Sequence, residues 1–244
     1  LTRLAAEKLT LGFPERVLRR DLDLAVRPGE CWAVLGNNGS GKTTLLHVLG
    51  GLRPALAGRV LLDGIELPRV PHAARARKIG LLLQEEAAAF WGTLLEYVLL
   101  GRYPHRRWML GADAADEALA RAALERVDLA GREARMLSTL SGGERQRARL
   151  ALILAQDPDV YLLDEPLQHL DLRHQLETLA LLRNLAQRHG KAVVMVLHEP
   201  ARARRVCDRA LLLFEDGRSQ SGPVGELLAH DVLERLYGCP VEGT

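Results

Sequence analysis

Gly36-Asn37-Asn38-Gly39-Ser40-Gly41-Lys42-Thr43 is the stretch on which the reading of this chain turns. Its spacing, Gly-x4-Gly-Lys-Thr, is that of a loop whose glycines let backbone N–H groups turn inward around phosphate oxygens. Lys42 then reaches the outer phosphates and the Thr43 hydroxyl ligates Mg²⁺. The flanks agree with this. Cys31-Trp32-Ala33-Val34-Leu35 is a short apolar run that predicts a strand, Thr44 to Leu49 predicts a helix, and Gly50-Gly51 predicts its stop. A helix that begins at such a loop points unpaired N–H groups and its positive dipole end at the same phosphates. At average residue frequencies a chain of this length meets the pattern by accident on the order of one time in a hundred.

Outward from the loop, residues 1–30 read as antiparallel strands. Leu22, Leu24 and Val26 alternate with Asp21, Asp23 and Ala25, and Arg27-Pro28-Gly29-Glu30 makes a turn. Gly58 to Leu62 reads as another strand, closed by Asp63-Gly64. Between about 85 and 140 the pattern becomes helical. Asp113 is placed to cap a helix from Ala114 to Val127, with Ala115, Ala118, Leu119, Ala122 and Ala123 expected on its apolar side. Strand and helix patterns alternate afterwards: Val160 to Leu163, a long helix from Leu170 to His189 stopped by Gly190, Val193 to Leu197, and Ala210 to Phe214 before Asp216-Gly217. The last twenty residues read as a short helix and a tail. Unbroken apolar strands suit a parallel sheet covered on both faces.

Composition sets the outer limits. The chain has 244 residues, 48% hydrophobic and 26% charged, which suits one large domain with an inserted lobe. A net charge of +2 does not point to nucleic acid. Cys31, Cys207 and Cys239 have neither zinc spacing nor an even count, so buried free thiols are the expectation. No signal peptide and no apolar run approaching the roughly eighteen residues of a membrane span is visible, so a membrane role has to pass through a partner.

Two further motifs carry chemistry. Val160-Tyr161-Leu162-Leu163-Asp164-Glu165 is an apolar strand ending in two acids. Asp164 at its carboxyl end would lie beside the phosphate loop and hold the Mg²⁺ water shell, while Glu165 is placed to polarise an attacking water. In Leu140-Ser141-Gly142-Gly143-Glu144, Ser141 and Glu144 have capping-box spacing. The two glycines leave the N–H groups of a new helix open, a second anion site.

With these motifs on the page, the chain resembles the nucleotide-binding subunit of ABC transporters over nearly its whole length. Leu140 to Glu144 resembles that family's signature motif, and Gly36–Thr43 and Val160–Glu165 resemble its Walker A and Walker B. The resemblance implies a fold: an α/β P-loop NTPase core with a mixed sheet, an N-terminal antiparallel β subdomain and an inserted α-helical subdomain. It divides the chain into a RecA-like core at 1–84 and 146–244 and a helical part at 85–145. It also implies roles. Gln84 would touch Mg²⁺ and link the two lobes, Asp171 would be the D-loop aspartate, His198 would contact the γ-phosphate, and Phe13 would stack on adenine. The ATP cradle would comprise Gly36, Asn37, Asn38, Gly39, Ser40, Gly41, Lys42, Thr43 and Thr44, with Ser141, Gly142 and Gly143 closing it from a second copy. Catalysis would rest on Glu165, His198 and Lys42, and Mg²⁺ on Thr43, Gln84 and Asp164. Glu199-Pro200 after the histidine and Leu167-Gln168-His169 before the aspartate depart from the family pattern.

The expected partners follow from the resemblance: a head-to-tail second copy sandwiching two ATP molecules, a polytopic permease, indirectly a solute-binding protein, and no nucleic acid. The expected place is the cytoplasmic face of the inner membrane, peripherally bound. Five of the ten aromatics, Phe90, Trp91, Tyr97, Tyr103 and Trp108, fall where the family grips its membrane subunit. They are read either as that grip or as packing for the helical lobe itself. Leu100 to His105 and Asp171 to Leu176 look like the importer branch for iron–siderophore complexes, haem or cobalamin. Two basic clusters, Arg102, His105, Arg106 and Arg107, and Arg202, Arg204, Arg205 and Arg209, are read as a solvated basic face or as contacts to the permease or lipid headgroups. Competing readings are a soluble ABC-type ATPase acting on ribosomes or DNA, a nucleotide-gated clamp, and an exporter subunit.

Overall fold

Strand β3 (Cys31–Gly36) is buried along its whole length in the computed structural model, which describes residues 2–83, 90–105 and 113–240. Its side chains serve two cores: Cys31, Ala33 and Leu35 enter one and Trp32 and Val34 the other. A strand wetted on neither face has no need of alternation, which is why its sequence is apolar throughout. Around it the described residues form a six-stranded sheet ordered β10-β9-β3-β8-β7-β6. These are β6 (Ile79–Leu82), β7 (Val160–Leu163), β8 (Ala192–Val196), β9 (Arg209–Leu213) and β10 (Ser219–Pro223). All neighbours run parallel except β10 against β9.

A second sheet is antiparallel and ordered β2-β1-β4-β5, from β1 (Leu4–Phe13), β2 (Arg16–Val26), β4 (Ala57–Leu62) and β5 (Ile65–Glu66). Leu22, Leu24 and Val26 are buried as the alternation predicts. Helix α1 (Lys42–Leu49) lies between the sheets, with Leu45, Leu46, Val48 and Leu49 in the same apolar cluster as Leu4, Leu9 and Val34. α2 (His72–Lys78) leads into β6.

The opposite face of the large sheet carries the longer helices. α3 (Leu94–Leu99), a 3₁₀ segment (Leu100–His105), α4 (Ala114–Glu125) and α5 (Gly142–Gln156) pack on one another. α6 (Leu172–His189), α7 (Pro200–Val206), α8 (Val224–Leu227) and α9 (His230–Tyr237) complete the chain, so the expected tail contains two helices. Asp113 caps α4 as predicted, its carboxylate accepting from the Asp116 N–H at 2.8 Å. The apolar side of α4 is displaced from the predicted one. Ala120, Ala123 and Leu124 are buried, whereas Ala115, Ala118 and Ala122 are exposed and Leu119 is 48% exposed. Alanines populate both stripes and discriminate weakly; Leu124 and the Asp116–Arg102 ion pair at 2.8 Å fix the helix rotation instead.

Arginines tie elements together through main-chain carbonyls. Arg102 donates to Ala155 O at 2.7 Å, Arg147 to Val127 O at 2.9 Å and Asp128 O at 2.7 Å, Arg149 to Leu83 O and Arg204 to Leu228 O. Arg202 pairs with Glu199, and Arg209 lies over Trp32 at 5.0 Å. Arg102 and Arg204 thus brace the main chain and Arg202 and Arg209 are half-buried, whereas Arg205 is exposed and Arg106 and Arg107 lie outside the described residues. Of the aromatics, Phe90 and Tyr97 meet edge to face at 5.4 Å, with Tyr97 inside the helical core. Trp91 and Tyr103 are exposed, at 86% and 73%. Trp108 lies outside the described residues. Cys31 and Cys207 are buried as expected, but Cys239 is exposed because it follows α9 rather than packing under it.

Gly101 shows how closely the helical part is packed. A Cβ there would stand 2.1 Å from the Leu152 carbonyl oxygen of α5. Gly101→Ala should therefore push the 3₁₀ segment off α5 and lower unfolding free energy by about 2 kcal/mol. Urea unfolding checks this, and an unchanged midpoint would refute the close packing.

Candidate active site

The phosphate loop bends as its glycines require. Gly36, Gly39 and Gly41 have φ of 153°, 78° and 97°, values that L side chains rarely adopt. A Cβ on Gly36 would come within 2.6 Å of Leu213 O and 2.8 Å of Ser40 Oγ. Asn38 is exposed at the tip of the loop. The loop opens into α1, whose N-cap Gly41 offers no side chain to the first N–H groups. Those donors remain available to an anion.

Lys42 folds back over the loop: its Nζ donates to Gly36 O at 2.8 Å and Asn37 O at 3.0 Å. Burial lowers the pKa of this ammonium, while Glu165 and Asp164 hold it up. Thr43 Oγ1 donates to Asp164 Oδ2 at 2.6 Å, joining the starts of α1 and the end of β7. Burial holds the Asp164 carboxyl above its ordinary range. The Thr43 hydrogen bond opposes this, Glu165 adds to it and Lys42 opposes it. Asp164 Oδ1 and Ser40 Oγ are buried with no partner among the described residues. A buried carboxylate with one free oxygen, next to a threonine hydroxyl, is a donor set that fits a hydrated Mg²⁺.

Glu165 has a left-handed backbone, φ 49°. Its Oε1 lies 2.7 Å from His198 Nε2. The pair borders a cleft of about 180 Å³ shared with Gln168, Gln175 and Arg202. Gln146 of α5 donates to Glu165 O at 3.3 Å and Pro166 O at 3.2 Å, so the signature helix holds the acid's backbone.

Ser141 caps α5 with the predicted box. Its Oγ accepts from Glu144 N–H at 3.2 Å, and Glu144 Oε2 accepts from Ser141 N–H at 2.8 Å. Arg132 and Arg135 both pair with Glu144. His169, at φ 62°, backs the two glycines, and a Cβ on Gly143 would meet His169 O at 3.0 Å. Asp171 caps α6, accepting from the His174 N–H at 2.9 Å, and this bond lowers its pKa. His174 also reaches Asp128 at 3.4 Å, a link that a lone histidine in the sequence does not disclose.

Phe13 ends β1 on the hairpin whose Leu18 stands 3.5 Å from where a Gly41 Cβ would be. Phe13 is 43% exposed, and the Arg53 guanidinium covers one ring face at 4.0 Å. Thr44 follows Thr43 in the first turn of α1. Gln84 lies outside the described residues.

A family model described as ABC transporter matches residues 19–168. The chain belongs to the ABC transporter family. It is 36% identical over 237 residues to the achromobactin transport ATP-binding protein CbrD of Dickeya dadantii (strain 3937), an overlap of 97% of this chain and 88% of that one. Its fold superposes on an inward-facing ABC transporter described as of metal-chelate type, with a TM-score of 0.85 at 29% identity, over 98% of this chain and 90% of the other. A dimeric ATP-binding cassette in a post-hydrolysis state, bound to ADP and Pi, gives a TM-score of 0.81 at 28% identity, over 91% and 98%. This ABC subunit is an ATPase coupled to transport. No helix among the described residues is long and apolar enough to cross a membrane.

The raised Asp164 pKa has a signed consequence. The folded state holds this proton more tightly than the unfolded chain, so stability falls as pH rises from the ordinary carboxylate range through the raised value. Asp164→Asn should raise the Tm of the nucleotide-free protein at pH 8. The gain should shrink as pH is lowered towards about 4. Calorimetry across pH checks this, and a lower Tm for the variant at pH 8 contradicts it.

Proposed function

We propose that this chain powers a membrane importer for a metal chelate, an iron–siderophore complex, haem or cobalamin, as a peripheral subunit on the cytoplasmic face of the inner membrane. The observation that carries the reading is the pairing of Glu165 with His198 at 2.7 Å, beside a phosphate loop that ends on Asp164. The names of its relatives, an achromobactin transport ATP-binding protein and a metal-chelate type ABC transporter, support the cargo class.

In this reading ATP lies along Gly36–Thr44, with Lys42 released from its loop carbonyls onto the β- and γ-phosphates. Asn38, Gly39, Ser40 and Gly41 supply backbone donors, and Phe13 offers its uncovered ring face to adenine. Thr43 and Asp164 hold Mg²⁺, together with Gln84. Bound there, Mg²⁺ neutralises charge on the phosphate oxygens. Glu165 accepts a proton from water attacking the γ-phosphate in line. His198 orients the γ-phosphate, and its contact to Glu165 keeps the carboxylate beside it.

The N-terminus of α5 has N–H groups, no lysine and no metal donor, so it requires phosphate brought by another chain. Two copies set head to tail supply it, with Ser141, Gly142 and Gly143 of each closing over the ATP of the other and Asp171 at the seam. Hydrolysis then removes the ligand that holds them together. The division into a core at 1–84 and 146–244 and a helical part at 85–145 belongs to the same reading. Exposed Trp91 and Tyr103 form the anchor for the permease, and the solute-binding protein acts only through that permease.

Glu165→Gln should keep ATP binding, lower hydrolysis by about a hundredfold or more, and run as a dimer in ATP on size exclusion. Wild-type turnover in that variant would remove Glu165 as the base. Ser141→Arg should block hydrolysis while ATP titration of the monomer stays unchanged, because only the facing site is obstructed. Capture of the tagged subunit from its native membranes should bring a polytopic permease; recovery of ribosomal or DNA-repair proteins alone would overturn the transport reading.

A further inference from the structure

Asn37 is the second residue of the phosphate loop, yet its side chain faces away from any ligand of that loop. Its Nδ2 donates to Glu215 Oε1 at 2.7 Å and to the Leu236 carbonyl at 3.5 Å. The short bond to Glu215 takes one of the two hydrogens of the carboxamide nitrogen, and the Leu236 carbonyl lies at the edge of reach of the nitrogen.

The three elements joined at this point are separate in sequence. Glu215 lies just beyond β9, whose Leu213 is the register partner of Gly36. Leu236 belongs to the last turn of α9, where carbonyls lack intrahelical donors. Leu233 and Leu236 are buried in the main core, so α9 is a seated helix and not a loose end. The Asn37 carbonyl meanwhile accepts from Lys42 Nζ at 3.0 Å. One residue therefore connects the catalytic lysine, through its own main chain and amide, to the β9–β10 turn and the C-terminal helix.

We infer that Asn37 is a positioning residue: its amide clamps the first turn of the phosphate loop to Glu215 and α9, and this clamp sets ATP affinity. The inference rests on reading Gly36–Thr43 as the ATP site. Pre-organisation is the physical basis. A loop already held in its cradling shape does not lose that freedom when ATP binds. The clamp acts on binding and not on the chemical step, because neither the Asn37 nor the Glu215 side chain hydrogen-bonds to Asp164, Glu165 or His198 among the described residues, and Lys42 is met by the Asn37 main-chain carbonyl, which a change at Glu215 leaves in place.

The test is steady-state ATPase kinetics with direct ATP titration on the full chain, and it turns on a sign. Glu215 is an acid near a triphosphate site, so electrostatics alone predicts that Glu215→Ala lowers the KM for ATP. The clamp predicts the opposite: KM and the ATP dissociation constant rise about fivefold, with kcat within about twofold of the wild type. Glu215→Gln retains an acceptor and should stay near the wild-type KM. Asn37→Asp sets two carboxylates face to face and should raise KM further, and Glu215→Gln in the same chain should restore much of the loss. An unchanged or lower KM in Glu215→Ala overturns the clamp, as does an Asn37→Asp defect that Glu215→Gln leaves intact. Lys42→Ala separates the two readings. If it binds ATP as the wild type does, the ATP site itself is misplaced; if it fails to bind, a null result at Glu215 counts against the clamp alone.

Discussion

A buried ammonium beside two carboxylates is the arrangement on which this molecule depends. Lys42 is largely removed from water, which lowers its pKa, and the charges of Glu165 and Asp164 oppose that fall. Burial, with the neighbouring Glu165 charge, keeps Asp164 reluctant to ionise, although Thr43 and Lys42 oppose this. Neither side is comfortable alone, and a polyanion with its cation relieves both. Satisfying this arrangement requires β3 and β7 to end at one level, and their separation by β8 in a parallel sheet achieves that. The unbroken apolar character of these strands follows, because a sheet that delivers charge to one edge has to be dry on both faces.

The elements most legible in the sequence are those whose chemistry is local. The loop glycines, the Ser141–Glu144 box, the Asp113 cap and the alternation in β2 each depend on residues within a few positions of one another. Each appears where the spacing puts it. The apolar side of α4 was not legible, because its alanines fit two stripes and the decision came from Arg102, eleven residues before the cap. Glu165 and His198 could be named separately, but their 2.7 Å contact arises from how β7 and β8 lie side by side. The Asn37–Glu215 bond spans 178 residues and has no local signature at all.

Glu165 and His169 share a left-handed backbone within five residues. For residues with side chains such a conformation costs on the order of 1 kcal/mol or more. The segment they bracket connects the acid at the end of β7 to the cap of α6, and His169 also backs the glycines of α5. Strain, acid and second anion site thus lie on one short stretch. A change at any of them is felt by the others through main chain and not through flexible side chains.

The arginine-to-carbonyl ties have an evolutionary consequence. Arg102, Arg147, Arg149 and Arg204 each bind a peptide oxygen, and every residue type at positions 155, 127, 83 and 228 supplies that oxygen equally well. Through that tie the arginine tracks no partner identity, even where its other nitrogens meet a side chain, as Arg102 meets Asp116, Arg147 meets Asp128 and Arg149 meets Gln146. Substitution at the acceptor leaves the tie intact, and loss of the arginine cannot be repaired by changing the residue opposite. These joints should drift on one side only, which leaves them invisible to any method that infers contact from paired change.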